Sequence, residues 1–277
     1  MEIGKTNKLI VARTTDNGCY LTDTDGNEVL LPNAYVTDDL NIGDEIEVFV
    51  YNDSEDRIVA TTLTPYVKLE EFAYLQVKEV NQYGAFIDWG LPKDLMVPFA
   101  EQKVKMKEGN WYLIFLLKDE ETDRLIGSAK IKDFVFFDEI DVSTGDEVDL
   151  LPYEMNDLGM DVIVNNLYKG LIFKSDIHKE IKPGEKIKGY VKQVRDDGKI
   201  DIVLEPLGYK NSIDIYSEKL LSGLKKNNGY LNLTDKSSPD EINKCLGLSK
   251  KAFKKAVGHL YSKKLITLAD DGIRISE

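Results

Sequence analysis

Aromatic and basic side chains recur along this chain at spacings that could stack a nucleobase and neutralise the phosphate beside it. The aromatics are Tyr20, Tyr83, Phe86 and Phe173. The basic residues that follow them are Arg57, Arg124 and Lys199, with Lys174 directly after Phe173. A separate run, Lys250, Lys251, Lys254 and Lys255, sits near the C-terminus. This chemistry is binding, and nothing in the sequence points to catalysis. There is no phosphate-cradling glycine loop before a lysine and no dinucleotide fingerprint. His178 and His259 stand alone, without Cys or His neighbours at metal-ligand spacing. Acids such as Asp38, Asp39, Asp53, Glu55, Asp56, Glu120 and Glu121 fall at predicted turns, where solvated carboxylates are ordinary. No enzyme activity, metal or cofactor is expected.

These side chains need rigid elements to hold them. Val80-Asn81-Gln82-Tyr83-Gly84-Ala85-Phe86-Ile87-Asp88 reads as a strand with period-two alternation. Ala85 and Ile87 point one way, Phe86 and Asp88 the other. A face that carries Asp88 is wet, so Phe86 is either a stacking platform or an aromatic covered by a neighbouring module. Gly84 marks a sharp bend or a close backbone approach, and bent strands close small barrels.

The same layout occurs three times. Each copy has a glycine-containing bend, a short apolar strand, a glycine turn, and a last strand opened by a basic residue. The steps from glycine turn to basic residue run from Gly43 to Arg57, Gly109 to Arg124 and Gly184 to Lys199, which is 14, 15 and 15 residues. Each copy fits five short strands, the size of an OB-type barrel. Tyr83-Gly84-Ala85-Phe86-Ile87-Asp88 is similar to the signature of the S1 RNA-binding domain. Gly170-Leu171-Ile172-Phe173-Lys174-Ser175 follows a second stretch of that family's pattern except at two positions. The resemblance covers residues 1–206 and implies base stacking on the aromatic positions and phosphate contact by Arg57, Arg124 and Lys199. The departures matter. Pro32 and Pro98 replace the family's histidine and remove a contact, whereas Phe173 at that position can stack. Tyr20 keeps an aromatic where Phe86 stands. Asp161 at that position in the third copy would repel phosphate.

The last sixty-five residues change to helical period. Ile213, Ile215, Tyr216, Leu220, Leu221 and Leu224 suit an amphipathic helix stopped by Asn227-Asn228-Gly229. Ser238-Pro239-Asp240-Glu241 starts a second helix, and Ser249 caps a third with an apolar stripe of Ala252, Phe253, Ala256, Val257 and Leu260. Two short strands around Asp270-Asp271-Gly272 complete a winged helix-turn-helix, whose third helix carries the four lysines. The expected fold is therefore multidomain and mainly β. It comprises barrels over 1–64, 65–132 and 145–211, an apolar linker over 133–144 that packs against a module, and an α/β winged helix over 212–277. Three S1-like modules followed by a winged helix resemble the conserved virulence factor B family. That resemblance implies a bacterial, cytoplasmic, RNA-binding regulator of gene expression.

Charge decides where binding falls. Residues 1–168 hold 14 Lys/Arg against 34 Asp/Glu, a balance of −20, while residues 169–277 hold 22 against 15, a balance of +7. The two cysteines, Cys19 and Cys245, form no disulfide framework, and no apolar run is long enough to span a bilayer. Single-stranded RNA is expected to cross the third barrel and the winged helix. Phe173 stacks a base there, and Lys174, Lys199, Lys250, Lys251, Lys254 and Lys255 meet phosphates. Tyr20, Tyr83 and Phe86 with Arg57 and Arg124 form secondary faces. Two other readings stay open: a regulator of duplex DNA acting through the winged helix, and a scaffold whose acidic front docks on a basic protein.

Overall fold

A computed structural model of the chain describes residues 1–206, 209–269 and 271–276, with side chains undescribed at 209–212 and 214. The residues divide into two compact units, Met1–Val135 and Phe136–Glu277.

The first unit holds two barrels. In the first, β1 (Thr6–Thr15), β2 (Gly18–Thr22), β3 (Glu28–Pro32), β4 (Glu45–Asn52) and β5 (Ile58–Thr61) close in the order β1-β2-β3-β5-β4. Alternation builds the core: Leu9, Val11, Cys19, Leu21, Val29, Leu31, Val48 and Val50 point inward and are buried. In the second, β6 (Phe72–Val80), β7 (Gly84–Ile87), β8 (Leu95–Pro98), β9 (Trp111–Lys118) and β10 (Leu125–Ser128) form a sheet in the order β10-β9-β6-β7-β8. Its edges meet through side chains, because a Cβ on Gly127 of β10 would lie 2.8 Å from a methyl of Val97 on β8. The second unit opens with a third closed barrel of β11 (Glu147–Met155), β12 (Gly159–Val164), β13 (Tyr168–Phe173), β14 (Ile187–Val194) and β15 (Ile200–Val203).

The repeat seen in sequence is a repeat of geometry. Gly18, Gly84 and Gly159 begin the second strand of each barrel and pair with Pro32, Pro98 and Phe173. The first strand of each barrel carries a bulge, at Val11/Arg13, Val77/Glu79 and Pro152/Glu154, which gives the twist that closure needs. Two details differ from the expectation. Val80–Asp88 is not one strand. β6 ends at Val80, and Asn81–Tyr83 form a turn in which the Asn81 carboxamide accepts from the Tyr83 amide at 2.9 Å. Likewise Arg57, Arg124 and Lys199 stand one residue before β5, β10 and β15 rather than within them.

The apolar segment that follows the second barrel is packed, as its composition predicts. Phe134 stacks on Phe115 with ring centroids 4.2 Å apart, and Val135 is buried in the first unit. Ile140 and Val142 pack on the core of the third barrel.

The remaining residues form α1 (Tyr209–Lys226), β16 (Tyr230–Leu231), α2 (Pro239–Leu246), α3 (Lys250–Ser262), β17 (Ile266–Ala269) and β18 (Gly272–Ile275). The three strands pair in the order β16-β18-β17, and residue 270 of the wing turn lies outside the described residues. Leu220, Leu224, Ile242, Phe253, Ala256, Leu260, Ile266 and Ile273 make the core. α1 ends where Asn228 and Gly229 take positive φ, 55° and 83°. α2 starts with a full capping box: the Glu241 amide donates to Ser238 Oγ at 3.2 Å, and the Ser238 amide donates to Glu241 Oε2 at 2.7 Å. Ser249 caps α3 by accepting from the Ala252 amide. Ser238→Ala is expected to destabilise the winged helix by about 1 kcal/mol, read as a lower thermal midpoint of that part of the chain. A midpoint equal to wild type would show that the box contributes nothing.

Candidate nucleic-acid interface

The candidate basic residues of the first unit, Arg57 and Arg124, are engaged by carboxylates. Arg57 donates to Asp53 Oδ2 twice, at 2.9 Å through Nε and 2.6 Å through Nη2, and reaches Glu55 at 2.9 Å. The Asp53 hydrogen bond holds this guanidinium above its ordinary pKa. Arg124 of the second barrel pairs with Asp56 of the first at 2.6 Å. The aromatics there are similarly placed. Tyr20 is half-buried, and the guanidinium of Arg13 lies 3.6 Å from its ring centroid. Tyr83, in the β6–β7 turn, is 65% exposed. Phe86 is half-buried and lines a cleft that also takes residues from the first barrel, Asn52 and Asp56 among them. The choice between platform and covered ring thus resolves into a ring at a seam.

The second unit is arranged differently. Phe173 closes β13, and its ring faces two cations on β14 and the residue after it: Lys192 Nζ is 5.8 Å and Arg195 Cζ 5.5 Å from the centroid. Lys192 also reaches Asp176 at 2.8 Å, and Arg195 reaches Asp201 at 2.6 Å. Lys174 is exposed on the turn after β13. Lys199 contacts Asp197 at 2.5 Å and holds that carboxyl below its usual range. The repulsion expected from Asp161 is relieved, because Lys169 pairs with it at 3.0 Å.

Lys192 and Arg195 are missing from the sequence reading. β14 carries a bulge between Val191 and Gln193, and Lys192 occupies it, so simple alternation does not place its side chain.

On α3, Lys250, Lys251, Lys254 and Lys255 line one open hollow. Their spacing explains this, since residues three and four apart share a helix face. The opposite face, Ala252, Phe253, Ala256 and Leu260, is buried. None of Lys250, Lys251 and Lys254 forms an ion pair with a described carboxylate. Among the candidate residues, Arg57, Arg124, Lys192, Arg195 and Lys199 are thus held by carboxylates, whereas Lys250, Lys251 and Lys254 on α3 form no ion pair with a described carboxylate. The structure brings Phe173 into one group with Lys192 and Arg195, and the four lysines into another.

Comparison with known proteins gives the family. Residues 3–63 match the S1 domain family, and residues 218–275 match the CvfB-like winged helix domain family. A Bacillus subtilis relative, the uncharacterized protein YitL, is 30% identical over 269 residues, which covers 94% of this chain and 89% of its own. The chain belongs to the conserved virulence factor B family. Within that family, conserved virulence factor B of Staphylococcus epidermidis is 28% identical and spans 99% of this chain and 95% of its own. The Staphylococcus aureus protein is 26% identical over 99% and 94%. A crystal structure of a multidomain protein with nucleic acid binding domains from Streptococcus pneumoniae covers 99% of this chain and 98% of its own, with 25% identity and a TM-score of 0.43. An S1 domain and a winged helix are binding domains of the nucleic-acid class, not enzyme families. Among the described residues no helix is long and apolar enough to cross a membrane.

Proposed function

We propose that the protein binds single-stranded RNA through the third barrel and the winged helix, and regulates gene expression by doing so without catalysing a reaction. The observation that carries this reading is the hollow on α3, lined by Lys250, Lys251, Lys254 and Lys255. A cation already held by a carboxylate gains little from a phosphate, because the ion pair must first be broken. Lys250, Lys251 and Lys254 form no ion pair with a described carboxylate, so a phosphate that meets them releases a counterion at no such cost. The group around Phe173 supports the single-stranded part of the reading. A ring beside Lys192 and Arg195 can stack an unpaired base, and the exposed Lys174 that follows it can meet an adjoining phosphate.

Phe173→Ala is expected to weaken binding of an unstructured RNA by about 1–3 kcal/mol. An unchanged titration would remove the third barrel from the interface. The reading as a whole is tested by competition on the full chain. A labelled unstructured RNA should be displaced by the same unlabelled RNA and only poorly by duplex DNA of equal length. Displacement preferentially by the duplex would replace this reading with a DNA-binding regulator. Absence of RNA binding, with a protein partner retained after nuclease treatment, would replace it with the scaffold.

A further inference from the structure

The first unit holds a second set of groups suited to nucleic acid, and they are occupied. The turn between β4 and β5 carries Asp53, Glu55 and Asp56. Asp56 reaches across to the second barrel, where one carboxylate oxygen meets Arg124 at 2.6 Å and the other meets Lys93 Nζ at 3.0 Å. Lys93 Nζ also donates to the Asp53 carbonyl at 2.7 Å. These contacts lie at the mouth of a cleft of about 470 Å³ between the two barrels, where Phe86, Trp89 and Met96 supply an apolar wall. Asn52 lines the same cleft, and its Oδ1 is buried with no hydrogen-bond partner among the described residues. A buried acceptor without a donor is uncommon in a finished core and marks a place where a ligand N–H can bind. A ring, an unfilled acceptor and two cations are what a nucleotide requires. Asp56 places its carboxylate oxygens on those two cations, where the oxygens of a phosphate would otherwise go.

We infer that the seam between the first two barrels is a latent binding site for single-stranded nucleic acid, held shut by Asp56 acting as an internal substitute for phosphate. The inference rests on the reading of the protein as a nucleic-acid binder. It accounts for why a barrel with aromatic and basic residues in the expected places lies in the acidic half of the chain. Its cations serve the junction until a polyanion at high local concentration displaces the turn.

The test uses the full chain and a labelled polyuridine oligonucleotide. Asp56→Asn keeps the side-chain shape and suits the left-handed backbone at that position, where φ is 61°. It should raise affinity by up to about fivefold for each ion pair released and steepen the salt dependence by about 0.7 per new phosphate contact. Adding Arg124→Gln should cancel the gain. Asp38→Asn removes one exposed acid elsewhere in the same barrel and should not reproduce it. The series is measured both in the wild-type background and with Lys250→Glu/Lys254→Glu, in which α3 is disabled. Equal gains from Asp56→Asn and Asp38→Asn would reduce the effect to net charge and overturn the inference. So would no gain from Asp56→Asn in either background, or a gain that survives Arg124→Gln. The parent reading fails by a different sign, namely an affinity that Lys250→Glu/Lys254→Glu leaves unchanged.

Discussion

Replacing Gly159 by alanine is expected to disrupt the third barrel, with a loss of about 3 kcal/mol or more in its stability. A Cβ built on Gly159 would lie against the carbonyl of Ile172, at 1.9 Å from its oxygen, and 2.9 Å from the Cα of Phe173. The obstacle is backbone of the paired strand, not the tip of a flexible side chain, so relief requires β12 and β13 to separate. The ladder they share, from Gly159↔Phe173 to Val164↔Tyr168, is the ladder that positions Phe173. The variant should therefore show an early unfolding transition and bind single strands poorly. Gly18 and Gly84 face the same constraint, with a carbonyl oxygen 2.1 and 2.4 Å from the added atom. Alanine there should damage the first and second barrels while leaving binding to the second unit intact. Urea unfolding followed by circular dichroism reads the stability. A Gly159→Ala chain that melts with wild type would show that the hairpins of these barrels tolerate a side chain.

The second large effect concerns charge. Lys250→Glu/Lys254→Glu reverses two cations one helical turn apart that form no ion pair with a described carboxylate, on the exposed face of α3. Taking two phosphate partners away from a single strand should flatten the slope of log affinity against log salt by about 1.4. Binding should weaken most at low salt, where two new repulsions are least screened. The fold should survive, because the buried stripe Ala252, Phe253, Ala256 and Leu260 is untouched. Reversal at Arg57 makes a useful contrast. Its guanidinium is already committed to Asp53 and Glu55, so Arg57→Glu should hardly change the slope.

Much of this architecture could be read in the chain. The glycine that starts each second strand recurs because the close approach of paired backbones excludes any Cβ there, and this constraint survives as a spacing. The winged helix was legible because Ser238, Glu241, Ser249 and the stripe of α3 obey local rules of capping and periodicity. Binding residues were less legible, for a physical reason. Whether a cation is available depends on which carboxylates fold against it, and Asp56 and Arg124 belong to different barrels. The Asp53–Arg57 pair is local and could have been anticipated from their spacing of four residues. Lys192 escaped notice because its place opposite Phe173 is set by a bulge. The turn at Asn81–Tyr83 is masked by the alternation of Ala85, Phe86, Ile87 and Asp88 that follows it, although Asn81 is a recognisable turn residue.

The contrast between Arg57 and Arg124, held by carboxylates in the first unit, and Lys250, Lys251 and Lys254 on α3, which form no ion pair with a described carboxylate, is the basis of the whole account. Photo-crosslinking a uridine-analogue single strand to the full chain, with the attachment points mapped by mass spectrometry, tests it most directly. Crosslinks should concentrate in residues 136–277, around Phe173 and along α3. A map dominated by Tyr20, Tyr83 and Phe86, with residues 136–277 unlabelled, would contradict it.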